Sequence, residues 1–137
     1  MAKDAFHENV RNALIKDGWT ITHDPLSILF EGLRIVADLG AERILAAERD
    51  SDKIAVEIKV FGGKSKISEF EKALGQYDLY EMYLEELEPN RILFLAVSTE
   101  SHEKFLKRPA IDFAVKKKNM RLIIFNPITE EIVEWIN

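Results

Sequence analysis

The sequence predicts an α/β fold, in which a mixed β-sheet is flanked by helices with an αβββαβ core. Segments of strand length alternate with amphipathic helical patterns along the chain. Two neighbouring strand patterns in the first half are separated by a polar turn, which indicates a hairpin. The second half follows a strand–helix–strand order, which favours parallel pairing. A length of 137 residues suits one domain, residues 1–137.

The first half is predicted to begin with a helix and to continue as strands. Residues 4–16 carry apolar side chains at helical spacing, and Gly18 ends this helix. The polar residues 49–53 form the turn of the predicted hairpin. The predicted strands cover residues 19–22, 42–48 and 54–61, with 26–30 as a less regular segment.

The second half is predicted to contain a long helix and three further strands. This helix begins at Ser68, where Glu71 completes a Ser-x-x-Glu capping box, and it extends to about Leu87. A helical stretch begins near Ser101, and Pro109 suits the first turn of a further helix. The predicted strands cover residues 91–97, 121–125 and 131–136, of which the last is an edge strand.

Composition limits the kinds of site that this chain can build. The sequence contains no cysteine, which excludes disulfides and thiolate metal sites. Carboxylate and carbonyl ligands suit Mg²⁺, Ca²⁺ or Mn²⁺ better than Zn²⁺. Residues 1–7 lack the apolar core of a signal peptide, and no segment approaches the length of a membrane span. We therefore expect a cytoplasmic protein, with association with the nucleoid as one option.

The charges are unevenly distributed along the chain. The formal net charge of −5 argues against a simple basic DNA-binding module. Residues 104–121 nevertheless carry seven basic side chains and one acidic one, whereas residues 81–88 carry four glutamates. These stretches are either solvated faces or a nucleic-acid surface beside a surface for a protein partner. The candidate nucleic-acid contacts are Lys64, Lys66, Lys116, Lys117 and Lys118.

The segment 54–61 places an acid and a base on one face of a strand. Side chains alternate along a strand, so Glu57 and Lys59 project to the same side. An exposed ion pair of this kind is worth at most about 1 kcal/mol. The alternative is a catalytic pair. The opposite face is apolar, with Ile54, Val56, Ile58 and Val60.

Asp38 precedes the strand that forms the predicted hairpin with this segment. The hairpin would bring Asp38 near Glu57, and two carboxylates with a strand carbonyl such as that of Ile58 form a hard-cation site. A metal together with Lys59 stabilises the charge that develops in phosphodiester hydrolysis. Glu42 and Glu48 compete with Asp38 as the second carboxylate.

Two further features are candidates for the same site. Gln76 and Tyr80 are four residues apart and share a face of the long helix, from which they could hold Lys59. Glu8 lies off the apolar stripe of the first helix. Taken alone, each of these residues is more simply a packing or surface residue.

Several short motifs surround these positions: Asp-Leu-Gly-Ala-Glu, Ala-Ala-Glu-Arg and Lys-Ile-Ala-Val-Glu-Ile-Lys within residues 35–61, Ala-Leu-Gly-Gln-Tyr at 73–77 and Leu-Ala-Val at 95–97. In combination the positions resemble the PD-(D/E)XK nuclease pattern, and the motifs resemble the XisH family. The likeness covers essentially the whole chain. One departure is Ala37, which stands where the superfamily motif has proline.

The resemblance implies a restriction-endonuclease-like fold with Mg²⁺ or Mn²⁺ as cofactor. Asp38 and Glu57 would be metal ligands and Lys59 the catalytic lysine. The supporting residues would be Glu8, Gln76 and Tyr80. The family is cyanobacterial and is named for excision of the fdxN element during heterocyst differentiation. The implied partners are an XisI-like protein, DNA and a site-specific recombinase, and a homo-oligomer is a further option.

Three hypotheses for function follow from the sequence. The first is a metal-dependent nuclease that acts during excision of a DNA element. The second is a non-catalytic controlling factor that keeps the nuclease-like fold and binds XisI, the recombinase or DNA. The third is a structural or toxin–antitoxin-like module, which no sequence feature specifically supports.

Overall fold

The computed structural model describes residues 2–35 and 44–137. Within these ranges the helical part of the chain comprises four α-helices and one π-helical turn. No helix in the described ranges is long and apolar enough to cross a membrane. The helical elements are α1 (Ala2–Lys16), α2 (Lys66–Leu87), α3 (Thr99–Ser101), the π-helical turn (His102–Leu106) and α4 (Pro109–Lys117).

In the described part of the chain, eight strands form a six-stranded sheet and a separate two-stranded hairpin. The large sheet has the order β1-β4-β5-β6-β7-β8, and the hairpin pairs β2 with β3. The strands are β1 (Thr20–His23), β2 (Ile28–Phe30), β3 (Leu33–Ile35), β4 (Ile44–Arg49), β5 (Asp52–Ile58), β6 (Arg91–Ser98), β7 (Leu122–Asn126) and β8 (Glu131–Ile136).

The predicted α/β class is confirmed, since the large sheet mixes both kinds of pairing. β4 pairs antiparallel with β1 and β5, and β8 pairs antiparallel with β7. β5, β6 and β7 run parallel. Without the separate hairpin, the chain order α1-β1-β4-β5-α2-β6 is the expected αβββαβ core. The hairpin of β4 and β5 and the edge position of β8 also follow the prediction.

Helices cover both faces of the sheet, because each central strand is apolar on both sides. On one face, Val10 and Leu14 of α1 pack against alternate residues of β5 that include Val56 and Ile58. On the other face, Ala55 of β5 belongs to the cluster that α2, the π-helical turn and α4 complete. The sheet therefore separates two apolar layers, and α1 and α2 lie on opposite sides of β5.

Two local predictions were wrong, and one short strand was missed. Helix α2 begins at Lys66 rather than Ser68, and Ser65 caps it by accepting a hydrogen bond of 3.3 Å from the Ser68 backbone nitrogen. Ser68 therefore lies inside the first turn, and its predicted capping box does not form. β5 ends at Ile58, three residues earlier than predicted. β3 was not predicted, because its three residues are too few to show a period.

Hydrogen bonds from polar side chains fix helix α1 to the turn between β7 and β8. Asn9 Nδ2 and Asn12 Nδ2 donate to the Glu130 carboxylate at 2.8 and 3.1 Å. Lys16 Nζ donates to the Thr129 carbonyl at 2.7 Å. The two asparagine hydrogen bonds lower the pKa of Glu130 because they favour its ionised form. Elements from the two ends of the described chain are thereby joined.

Candidate functional site

Glu57, Lys59 and Gln76 form a buried polar cluster between β5 and α2. The exposed fractions of Glu57 and Lys59 are 2% and 5%. Lys59 Nζ donates a hydrogen bond of 2.5 Å to Gln76 Oε1 and lies 3.8 Å from Glu57 Oε2. The predicted pair therefore shares one side of the strand, and the predicted helix residue Gln76 contacts it.

Strand alternation explains why the acid and the base meet at α2. Ile58, which lies between them in sequence, packs into the layer beneath α1, so Glu57 and Lys59 point towards α2. The Lys59 backbone nitrogen donates to the Ala96 carbonyl at 3.0 Å, which continues the pairing with β6 beyond the end of β5. On α2, fully buried Tyr77 fixes the face that meets the sheet, and its neighbour Gln76 reaches Lys59.

The burial of this pair excludes the interpretation of an exposed ion pair. β5 has hydrogen-bonded neighbours on both sides, so Glu57 is not on an edge strand. Removing an ion from water costs several kcal/mol, and an attraction between two buried charges offsets this only partly. If the pair had only a structural role, apolar residues at the same two positions would stabilise the fold without the cost of removing two charges from water. The acid–base pair at the end of β5 is therefore a candidate functional site.

Glu48 is not a second carboxylate beside Glu57. In the pairing of β4 with β5, Glu48 lies opposite Lys53, whereas Ile44 lies opposite Glu57. The four-residue separation along β5 corresponds to about 13 Å at the usual strand rise. Glu48 instead lies 3.7 Å from the guanidinium of buried Arg91. Asp38 and Glu42 lie outside the described residues, so their assignment stays a prediction.

The described residues include two of the three predicted ligands of a hard-cation site, Glu57 and Ile58. Glu57 contributes a carboxylate, and the adjacent Ile58 offers a backbone carbonyl of the kind that Mg²⁺ and Mn²⁺ accept. Among residues 2–35 and 44–137, no group of three histidine, aspartate or glutamate side chains converges on a point. Ile44, the first described residue after position 43, lies opposite Glu57. β4 therefore begins beside Glu57.

Tyr80 and Glu8 occupy less central positions than Gln76. Tyr80 is half-buried and packs against the apolar layer on the α2 side. Glu8 belongs to α1, on the opposite face of the sheet from Lys59. Its side chain is 63% exposed, and its carboxylate lies 3.5 Å from the ring of His7. The supporting roles of both residues remain predictions.

Tyr77 holds α2 on the sheet, which sequence reasoning did not identify. Its hydroxyl donates to the Leu93 carbonyl at 3.2 Å and accepts from the Arg121 backbone nitrogen at 3.1 Å. The phenol thereby links α2 to β6 and to the start of β7. Burial raises the pKa of Tyr77 because it disfavours the phenolate. A tyrosine adjacent to Gln76 on the apolar stripe was the available signal.

Replacing Tyr77 with phenylalanine is expected to lower the free energy of unfolding by about 1–3 kcal/mol, because a buried donor and acceptor lose their partner. The raised pKa means that the stability contributed by the neutral phenol is present below about pH 10 and is lost as pH rises through the folded pKa. Urea denaturation from pH 8 to 11 checks both effects, and the variant should lose part of the alkaline slope. Tyr83→Phe is the control, because it also removes a hydroxyl but keeps the ring, which stacks on Phe30 at 4.8 Å. Equal effects of the two variants would contradict the role of Tyr77.

The predicted nucleic-acid lysines lie in two separate places. Lys64 and Lys66 are exposed and follow the carboxyl end of β5, near Lys59. Lys116 and Lys118 lie at the end of α4, which leads to the amino end of β7. They form ion pairs of 2.8 Å with Asp112 and 3.0 Å with Asp78, and Lys117 between them is exposed. The candidate site is thus adjacent to the first group only.

Comparisons with known proteins give a consistent result. A family model described as XisH protein matches residues 1–133. The crystal structure of an fdxN element excision controlling factor protein from Anabaena variabilis is 39% identical, with a TM-score of 0.90 over 98% of this chain and 99% of that one. An XisH family protein from Nostoc punctiforme PCC 73102 is 38% identical, with a TM-score of 0.90 over 98% of this chain and 100% of that one. A search of curated proteins finds no match.

The family match extends over nearly all of the sequence, and the two structural matches extend over nearly all of both chains. Each identity is well above the level at which a structural likeness indicates the fold alone. From this agreement of sequence and structure, the chain belongs to the XisH family.

Proposed function

We propose that this protein acts in excision of a DNA element as a metal-dependent nuclease of the PD-(D/E)XK type. The role in excision is supported by similarity to the protein named as an fdxN element excision controlling factor. The nuclease chemistry is supported by one observation above all, the buried cluster of Glu57, Lys59 and Gln76. Heterocyst differentiation is the setting that the family resemblance suggests.

In this proposal Glu57 and the carbonyl of Ile58 hold Mg²⁺ or Mn²⁺ together with Asp38. The bound cation would polarise the scissile phosphate and acidify a water molecule. Lys59 places its ammonium beside the Glu57 carboxylate, where it stabilises the negative charge that grows on the phosphate oxygens. Gln76 accepts a hydrogen bond from Lys59 and thereby fixes the direction of its side chain.

The proposal is tested by titrating Mn²⁺ calorimetrically into wild-type protein and Glu57→Gln, and by incubating both with supercoiled and branched DNA. Glutamine keeps the shape of the buried side chain and removes its charge, so metal binding and nicking should both disappear. Asp52→Asn is the matched control, since Asp52 is an exposed carboxylate at the other end of β5. Cleavage that persists in Glu57→Gln would contradict the assigned site.

A second candidate function is a non-catalytic controlling factor that binds an XisI-like protein or the recombinase. The end of α2 favours it, because Met82 and Leu87 are 55% and 46% exposed beside the exposed Glu85 and Glu86. Metal binding without DNA cleavage would favour this candidate over the first. Co-purification with an XisI-like protein that is lost on Met82→Ser/Leu87→Ser would support it directly.

A further inference from the structure

A groove of about 500 Å³ opens at the carboxyl ends of β5 and β6. It begins at Val60, the residue after Lys59, and extends past Ser98 to the π-helical turn. Three of its lining residues are cationic, and Glu100 is its one carboxylate. The cationic residues are Lys66, Lys104 and Arg108.

The positive character of the groove contrasts with the net charge of −5 on the chain as a whole. Lys104 forms an ion pair of 3.2 Å with Glu100. Lys66 and Arg108 form no ion pair within the described ranges, and both are exposed. Two unneutralised cations on the walls of one concave surface concentrate the field there and attract an anion.

Local backbone structure fixes Lys104 and Arg108 on the side of the groove that the π-helical turn and the residues after it form. The π-helical turn (His102–Leu106) buries Phe105 and Leu106 and leaves Lys104 at the groove. Single π-helical turns are rare and occur frequently at functional sites. The guanidinium of Arg108 lies 5.5 Å from the ring centroid of Phe105, which limits its freedom before any ligand binds.

We propose that this groove binds the phosphodiester backbone of a DNA strand through Lys66, Lys104 and Arg108, and so carries the strand to Lys59. The proposal rests on the proposed nuclease function and adds the path of the substrate. A backbone ligand is favoured over base recognition, because two of the three aromatic side chains that line the groove, Phe61 and Phe105, are 3% and 0% exposed. The third, Phe6, is partly buried and packs edge-on against Phe125. The lysines at the end of α4 take no part in this path.

The test measures binding of a fluorescein-labelled DNA duplex of about two helical turns, and of the same sequence as a single strand, by anisotropy in EDTA. Lys66→Gln/Arg108→Gln should weaken binding about 10-fold and lower the salt slope by about two, since two phosphate contacts are lost. Lys53→Gln/Lys72→Gln removes the same charge from two exposed lysines that do not line the groove and should match wild type. Arg108→Lys should retain most of the affinity.

Wild-type affinity in the groove variant would overturn the proposal, and so would an equal loss in the control pair. Loss of binding in Lys116→Gln/Lys117→Gln alone would place the DNA at the end of α4 instead. Displacement of DNA by polyglutamate at equal charge would show a general site for polyanions and would also overturn it. Binding is measured in EDTA, so it does not depend on cleavage. A wild-type protein that binds DNA in the groove but does not cut it with Mn²⁺ would remove the nuclease proposal and leave the groove proposal standing.

Discussion

Replacement of Lys59 by methionine is expected to lower the rate of metal-dependent DNA nicking about 100- to 1,000-fold, the usual effect of removing one group that stabilises transition-state charge. Methionine keeps an unbranched side chain of similar length in the space between β5 and α2. The ammonium that lies 3.8 Å from the Glu57 carboxylate and 2.5 Å from the Gln76 oxygen is lost. Single-turnover nicking of supercoiled DNA with Mn²⁺ measures this effect.

Calorimetry distinguishes loss of chemistry from loss of the metal site. Lys59→Met should still bind Mn²⁺, because the proposed ligand Glu57 is retained, whereas Glu57→Gln should not. Lys53→Met is the matched control, since Lys53 is exposed and lies at the far end of β5, the strand that ends one residue before Lys59. If Lys59→Met cuts DNA as fast as Lys53→Met, Lys59 has no role in the chemistry.

The largest effect on stability is expected when buried Arg91 loses its two carboxylates. Its side chain is 2% exposed and lies 3.1 Å from Glu88 and 3.7 Å from Glu48. Its guanidinium also donates to the Ile54 carbonyl at 3.0 Å. Glu48→Gln/Glu88→Gln leaves an uncompensated cation in the interior, which should lower the free energy of unfolding by about 3–5 kcal/mol. Urea denaturation at pH 7 measures the difference.

A charge-matched control separates burial from net charge. Glu85→Gln/Glu86→Gln removes two exposed carboxylates from the end of α2 and should change stability by less than about 0.5 kcal/mol. Adding Arg91→Met to Glu48→Gln/Glu88→Gln should restore part of the loss, because the stranded cation is then removed. Without such recovery, the destabilisation would have to come from lost packing or hydrogen bonds.

Strand alternation made the central site predictable. The apolar run around Glu57 and Lys59 was long enough to show a period of two, so both the strand and the shared face could be inferred. Gln76 was predicted to reach the pair because helical spacing places it on a face with Tyr80. The burial of Tyr77 and its hydrogen bond to Leu93 could not be predicted, since sequence spacing alone does not give the rotation of a helix against its sheet.

The partner of Glu48 could not be predicted from local sequence. Its exclusion from the site depends on the register of β4 with β5 and on Arg91, which is 43 residues later in the chain. The groove could not be predicted from the sequence either, because the parallel pairing of β5 and β6 is what brings Lys66 and Arg108 to one surface. The π-helical turn has no periodic signature of its own within five residues.

The contacts between α1 and Glu130 have a consequence for synthesis on the ribosome. Asn9 and Asn12 emerge from the exit tunnel well over a hundred residues before the carboxylate that they bind. The polar anchor of the first helix therefore cannot form until translation has passed β7. Until then α1 is held on the sheet by its apolar contacts, such as those of Val10 and Leu14, without the polar anchor. A nascent chain stalled before Glu130 should therefore be more accessible to chaperones and proteases than the finished one.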